Sequence, residues 1–98
     1  MSVLVCDGAY EHGVKYPGND LNDGRRDRTT SPEACQSLCR RTPGCAGWEW
    51  GWDGDTCWVK SRLDDNRREA GQPGIVAGRR EACRSINGHN TLTWWETH

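Results

Sequence analysis

Six cysteines constrain this chain more than any other feature: Cys6, Cys35, Cys39, Cys45, Cys57 and Cys83. One stands near the start, one toward the end, and four crowd the middle. An even number in a chain of 98 residues reads first as a disulfide framework. Such a framework belongs in an oxidising compartment, so an extracellular, secreted protein is expected. It also explains how a chain this polar can stay folded. Hydrophobic residues make up 34%, mean hydropathy is -0.94, and there is one Met and no Phe. At about 25 cal/mol per Å² of buried apolar area, so small a core leaves little margin over chain entropy. A cross-link closing about 15 residues contributes about 3 kcal/mol by restricting the unfolded chain. The six Trp must supply much of the remaining apolar contact.

Charge and hydropathy remove several classes. The net charge is -1 and the pI near 6.3, against the basic excess of a general nucleic-acid binder. No apolar run approaches the roughly 18 residues of a membrane span, so no membrane insertion is expected. Met1 to Val5 lacks the charged start and the length of a secretory leader. Because the cysteines imply secretion, a leader is expected to be missing and the chain to be a mature fragment. No Asn-X-Ser/Thr sequon occurs, so N-glycosylation is not expected.

Val3-Leu4-Val5 reads as a short strand. Residues 7–30 are rich in Gly, Asp and Arg, with Tyr10, Tyr16 and Leu21 as scattered anchors and a turn signal at Tyr16-Pro17-Gly18-Asn19. Ser31-Pro32-Glu33 is the best helix start: Ser at the N-cap, Pro at the first position, Glu at the positive end of the dipole. Ala34, Cys35, Leu38 and Cys39 recur at helical spacing. Arg40 and Arg41 suit the last turn, and Pro43-Gly44 ends the helix. Residues 45–60 read as a β-hairpin, with Trp48, Trp50 and Trp52 alternating against Gly47, Glu49 and Gly51 and a turn at Asp53-Gly54-Asp55. Residues 61–73 read as a polar loop, and residues 74–78 as an apolar strand. Asn87-Gly88 marks a turn, and residues 91–95 predict an edge strand or a linker.

Cys35 and Cys39 lie four apart on one helix face, with side chains running side by side, so a bond between them is disfavoured. Both must reach the hairpin beneath. Cys45, just past the Pro-Gly stop, suits Cys39, and Cys57 on the return strand suits Cys35. Cys6 and Cys83 remain and would tie the first strand to the last. This nested set is one of about fifteen connectivities open to six cysteines.

The stretches Tyr16-Pro17-Gly18-Asn19-Asp20-Leu21, Ser31-Pro32-Glu33-Ala34-Cys35-Gln36, Cys45-Ala46-Gly47-Trp48 and Thr56-Cys57-Trp58-Val59-Lys60-Ser61 together resemble a PAN/apple domain. The resemblance spans Cys6 to Cys83. It implies an α+β fold in which a curved antiparallel sheet cradles one α-helix, with the same three nested disulfides. It implies a domain over residues 1–83, leaving 84–98 as a C-terminal extension, an extra strand or a linker. Trp at positions 48, 50 and 52 departs from the family's usual Phe or Tyr.

Chemistry-bearing motifs are sparse. Cys35-x3-Cys39 lacks the second close pair that zinc needs, and His12, His89 and His98 stand in Gly-rich or terminal segments. The run from Asn19 to Gly24 resembles half a calcium loop without the downstream Glu. No nucleophile elbow, zincin or phosphate-loop motif occurs, and every Cys has a partner. No catalytic residue, metal or cofactor is expected. Arg falls in four adjacent pairs, at 25–26, 40–41, 67–68 and 79–80, whose guanidinium forks suit sulfate or carboxylate. The acids among them, including Asp27, Asp64, Asp65, Glu69 and Glu81, read more simply as a solvated surface of mixed sign.

The tryptophans are the sharper candidates. Trp48 and Trp50 read as core by alternation. Trp52 stands at the hairpin tip, and Trp58 points opposite to Cys57 and Val59, toward the outer face. An exposed indole offers a flat apolar plate with an N–H donor, on which sugar rings stack while nearby Asp and Asn bind hydroxyls. The predicted ligand site is Trp52, Asp53 and Asp55, with Trp58, Tyr16 and Asn19 as weaker members. The resemblance implies a non-catalytic binding module, often an accessory domain of a larger extracellular protein, whose partner is a carbohydrate or another extracellular protein. The Trp excess favours carbohydrate. The alternatives are a protein–protein adhesion or oligomerisation module and a structural spacer.

Overall fold

The computed structural model describes residues 3–5, 10–81 and 84–86. The one helix among them, α1 (Pro32–Arg41), starts where the Ser-Pro-Glu signal places it. Ser31 is extended, and its Oγ accepts a hydrogen bond from the Ala34 N–H at 3.1 Å. Thr42 closes the far end, donating its N–H to the Cys39 carbonyl and its Oγ1–H to that of Leu38. The last-turn carbonyls, which a helix leaves without internal donors, meet a side chain from far along the chain. Arg80 donates Nη1 to the carbonyls of Cys39, Thr42 and Cys45 at 3.1–3.2 Å, and Nη2 to that of Arg40 at 2.9 Å. Its charge also complements the negative end of the helix dipole.

Strands β1 (Val3–Val5) and β6 (Arg84–Ile86) pair antiparallel with Val5 opposite Arg84. Thus part of the segment after residue 83 pairs with the first strand. The main sheet holds β2 (Glu11–His12), β3 (Gly47–Gly51), β4 (Thr56–Lys60) and β5 (Ile75–Arg79) in the order β2-β5-β3-β4, all antiparallel. Residues directly opposite share a face. Trp48, Val59 and Gly78 form one row, and Trp50, Cys57 and Val76 the next. Both rows face α1, in one core cluster with Cys35, Cys39 and Cys45. Gly78 matters here because the Trp48 indole lies over it: a Cβ at Gly78 would stand 2.5 Å from the ring.

Two of the three expected disulfides pin the helix to this face. Cys35–Cys57 and Cys39–Cys45 have Cα separations of 5.5 and 5.4 Å, within the usual range for a bridge. Cys6 and Cys83 lie outside the described residues, as do residues 91–95.

Three features differ from the sequence reading. First, the helix buries Gln36 beside Cys35 and Cys39. Its amide stays satisfied because Oε1 accepts from the Trp48 indole and Nε2 donates to the Arg80 carbonyl. Second, a two-residue strand, β2, forms in the Gly-, Asp- and Arg-rich segment, for which no strand is predicted. Third, the other sheet face is covered as well. Val14, Tyr16 and Leu63 pack with Ala77 of β5 in a second core cluster, so the loop of residues 61–73, read as polar, contributes a buried Leu.

Candidate functional site

The β3–β4 connection gathers the leading candidates. β3 ends at Gly51, so the alternation that buries Trp48 and Trp50 stops one residue before Trp52. Trp52 is 67% exposed, and it and Leu21 are the exposed large hydrophobics among the described residues. It is nevertheless braced. Its ring meets that of buried Trp50 edge-on, with centroids 5.0 Å apart, a favourable aromatic geometry. Trp50 is in turn fixed by its indole N–H, which donates to the Thr29 carbonyl at 2.9 Å. The Trp52 N–H donates to the Gly74 carbonyl at 2.9 Å, and the Gly74 backbone passes beside the indole. One face of the site is therefore a fixed plate rather than a swinging side chain.

Asp53 is exposed and Asp55 half-buried. Gly54 and Asp55 take positive φ, +83° and +53°, the left-handed conformations that Gly and Asp tolerate best. The Asp55 carbonyl accepts the Thr29 N–H at 3.0 Å. Neither carboxylate is engaged by another described residue, so both are open to solvent and to ligand hydroxyls. Trp52, Asp53 and Asp55 all lie in the connection between β3 and β4.

The weaker members do not join them. Trp58 is on the outer face, opposite Glu49 in a row with Ala77, but Gly24 lies against its ring. Its exposure is only partial. Tyr16 is a correction: it is 1% exposed, a core residue of the second cluster. Its hydroxyl donates to Glu11 Oε1 at 2.5 Å, while Arg68 grips Glu11 Oε2 through Nε and Nη2. Burial raises the Tyr16 pKa, and its bond to Glu11 adds to that. Burial alone would raise Glu11, but the bonds from Tyr16 and Arg68 outweigh it and hold the carboxyl below its usual 4.5. Asn19 is a second correction. It is exposed, at φ +62°, but its carbonyl accepts from Ser61 just past the far end of β4. A five-residue strand separates it from the tip by roughly 15 Å.

The segment after Asn19 seals the open edge of β4. Leu21 donates its N–H to the Val59 carbonyl, and Cys57 donates its N–H to the Gly24 carbonyl. Between them the Asn22 amide imitates a strand, accepting from the Val59 N–H and donating to the Cys57 carbonyl, both at 3.0 Å. Buried Lys60 ends the edge, bonded to Asp20 and to the Gly18 carbonyl. Sequence reasoning missed these roles because each depends on contacts about 35 to 42 residues apart. Among the described residues no group of three or more His, Cys, Asp or Glu is placed to hold a metal.

Comparison with known proteins agrees with this architecture. Residues 14–60 match the PAN domain family. The solution structure of the two N-terminal apple domains of Toxoplasma gondii microneme protein 4 superposes with a TM-score of 0.64 at 27% identity, over 74% of this chain. The match covers 45% of that two-domain chain, less than half its length. No curated protein matches. Matched segment, helix-on-sheet architecture and the two nested disulfides agree: the chain has the apple-domain fold, and its residues 14–60 match the PAN domain family.

Proposed function

We propose that this domain is an extracellular carbohydrate-recognition module without catalysis of its own, and that the β3–β4 tip is its contact surface. PAN/apple domains are binding modules for proteins or carbohydrates. The observation that carries the finer reading is Trp52: an indole plate 67% exposed, held by Trp50 and Gly74, with two uncommitted carboxylates beside it. An apolar ring face and carboxylate acceptors are what a sugar presents partners for, through its C–H face and its hydroxyls. Solvent exposure of a large aromatic costs stability that a purely structural tip would not need to forgo. The two disulfides keep the hairpin under α1, so the plate is presented without further ordering.

The test is a glycan array probed with the native chain and with Trp52→Ala. Saturable glycan binding is expected, weakened about thirtyfold by Trp52→Ala, since an aromatic anchor of this kind is worth about 2 kcal/mol. Asp53→Asn and Asp55→Asn should weaken it less. Trp52→Ala should leave folding almost unchanged, because most of the side chain faces water. Absence of glycan binding, with self-association in solution, would instead favour a protein–protein module.

A further inference from the structure

Among the described residues Asp stands directly before Gly twice, at Asp23-Gly24 and at Asp53-Gly54. This dipeptide carries a chemistry of its own. With no side chain on the second residue, its backbone nitrogen can reach the aspartyl Cγ and close a five-membered imide. Three conditions govern the step: a carboxyl free to turn, a backbone N–H outside any hydrogen bond, and a chain able to rearrange locally. The fold treats the two copies differently.

Asp23-Gly24 is held on both sides. It opens an Arg-rich turn, the Arg turn, over residues 23–28. Asp23 Oδ1 accepts the Arg25 N–H at 3.0 Å, and the Asp23 carbonyl accepts the N–H groups of Arg26 and Asp27 at 2.9 and 3.1 Å. Gly24 is buried, lies under the Trp58 ring and accepts the Cys57 N–H. Imide closure there would break the bond to the carboxylate and rotate a peptide group gripped from either end. Asp53-Gly54 has none of these restraints. Both residues are exposed, in the connection beyond the last β3–β4 pair, Gly51 opposite Thr56. Neither the Asp53 carboxylate nor the Gly54 N–H has a hydrogen-bond partner among the described residues. Gly54 stands at φ +83°, and a Cβ there would meet only Thr56, at 3.9 Å, so the space around the forming ring is open. The fixed points on either side are the Trp52 N–H, bonded to the Gly74 carbonyl, and the Asp55 carbonyl, bonded to the Thr29 N–H.

We propose that Asp53-Gly54 is a modification site, at which the hairpin tip converts to isoaspartate without an enzyme. The Gly54 nitrogen gives up its proton and attacks Cγ of the protonated Asp53 carboxyl. The N–Cγ bond forms, the Cγ–OH bond breaks, and water leaves. Water then opens the imide. Cleavage of the new N–Cγ bond restores Asp. Cleavage at the α-carbonyl leaves the chain running through Cβ and Cγ, with a free α-carboxylate. The water released is taken back, so mass is unchanged and no co-reactant is needed. The backbone gains one methylene between Trp52 and Asp55, and the carboxylate moves to a shorter arm. The Gly51–Thr56 pair and the Cys35–Cys57 bridge lie outside this stretch, so the fold survives while the surface beside Trp52 changes. The functional consequence rests on the carbohydrate reading of the tip: the altered tip binds its saccharide less well.

The test is incubation of the folded chain, disulfides intact, in mildly acidic buffer made with ¹⁸O-water, followed by peptide mapping. Isoaspartate at position 53 is read as a tip peptide of altered retention that carries ¹⁸O from solvent and resists an aspartate-specific endoprotease. It should accumulate at least about tenfold faster than isoaspartate at position 23, where closure must first open a hydrogen-bonded turn. In the reduced and alkylated, unfolded chain the two positions should react at similar rates. Asp53→Asn, which loses ammonia instead of water, should form the product faster, and Asp53→Glu, which needs a six-membered ring, should form almost none. Absence of isoaspartate at 53 in the folded chain, or equal rates at 23 and 53, overturns the proposal. The same preference for 53 in the unfolded chain overturns the part given to the fold. Glycan binding is read separately on fresh and incubated chains. Loss in step with isoaspartate supports the consequence for the tip, and unchanged binding overturns it. A fresh chain that binds no glycan overturns the carbohydrate reading, while the peptide map still judges the modification.

Discussion

Gly24→Ala puts the packing between the Arg turn and the sheet under a sharp test, because two effects of opposite sign meet there. The Gly24 backbone is not in the left-handed region, so Ala adopts it without strain. Loss of unfolded-state freedom then favours the variant by about 0.4–1 kcal/mol. Against this, the new Cβ would stand 2.5–2.7 Å from three atoms of the Trp58 ring. Overpacking of that kind costs about 1–3 kcal/mol, and the Gly24 backbone cannot simply back away from the ring, since its carbonyl accepts the Cys57 N–H. The net expectation is a loss of about 1–2 kcal/mol. Urea unfolding with the disulfides intact measures it. In a Trp58→Leu background the clash is gone, so Gly24→Ala should become neutral or mildly stabilising, and the cycle should show a coupling of about 1–2 kcal/mol. A neutral Gly24→Ala in the native background, or the same cost in both, would refute the packing argument.

Three further outcomes follow from other contacts. Asn22→Ala strips donor and acceptor from the β4 edge at once; a loss of about 1–3 kcal/mol is expected, with faster hydrogen exchange at the Val59 amide, and unchanged exchange there would contradict the role given to Asn22. Glu11 is more acidic folded than unfolded, so its contribution is present above about pH 4.5 and is lost as pH falls through the depressed value; Tyr16, raised above 10, loses its contribution as pH rises through its own. Melting temperature against pH should therefore fall less steeply on the acid side in Glu11→Gln, and an identical acid limb would count against the Tyr16–Glu11–Arg68 arrangement. In the β1–β6 ladder Val5 stands opposite Arg84, the sequence neighbours of Cys6 and Cys83; non-reduced peptide mapping is expected to find Cys6 joined to Cys83, whereas two alkylatable thiols would exclude the bond.

Local signals in the sequence carried far where neighbours in the chain decide the outcome. Ser31, Pro32 and Glu33 start a helix whatever lies beyond, and four-residue spacing keeps Cys35 from bonding Cys39. The alternation of residues 47–51 likewise names the core face of β3. What stayed hidden depends on distant partners. Gln36 looks like a surface residue until the Trp48 indole and the Arg80 carbonyl satisfy its amide. Arg80 looks like half of a surface pair, yet it caps α1 from about forty residues away. Val14, Tyr16 and Leu63 are isolated apolar residues in polar stretches, and no periodicity marks them as a second core. Tyr16 was misplaced for that reason. Trp52 shows the reverse case: its place at the hairpin tip already sets it apart from Trp48 and Trp50, and β3 ends at Gly51, one residue before it. Arg25 and Arg26 were visible as one of four Arg pairs, but not that neither has an ion-pair partner among the described residues, which depends on where the acids fall.

The most direct measurement is an NMR titration of the ¹⁵N-labelled chain with the tightest-binding oligosaccharide of the glycan array, following the tryptophan indole N–H signals and the backbone amides. The Trp52 indole, assigned by its absence from Trp52→Ala, should shift saturably together with the amides of residues 52–55. The indoles of Trp48 and Trp50, bonded to Gln36 and Thr29, should stay nearly still. Saturable shifts confined to another surface, with Trp52 unmoved, would contradict the placement of the site at the β3–β4 tip.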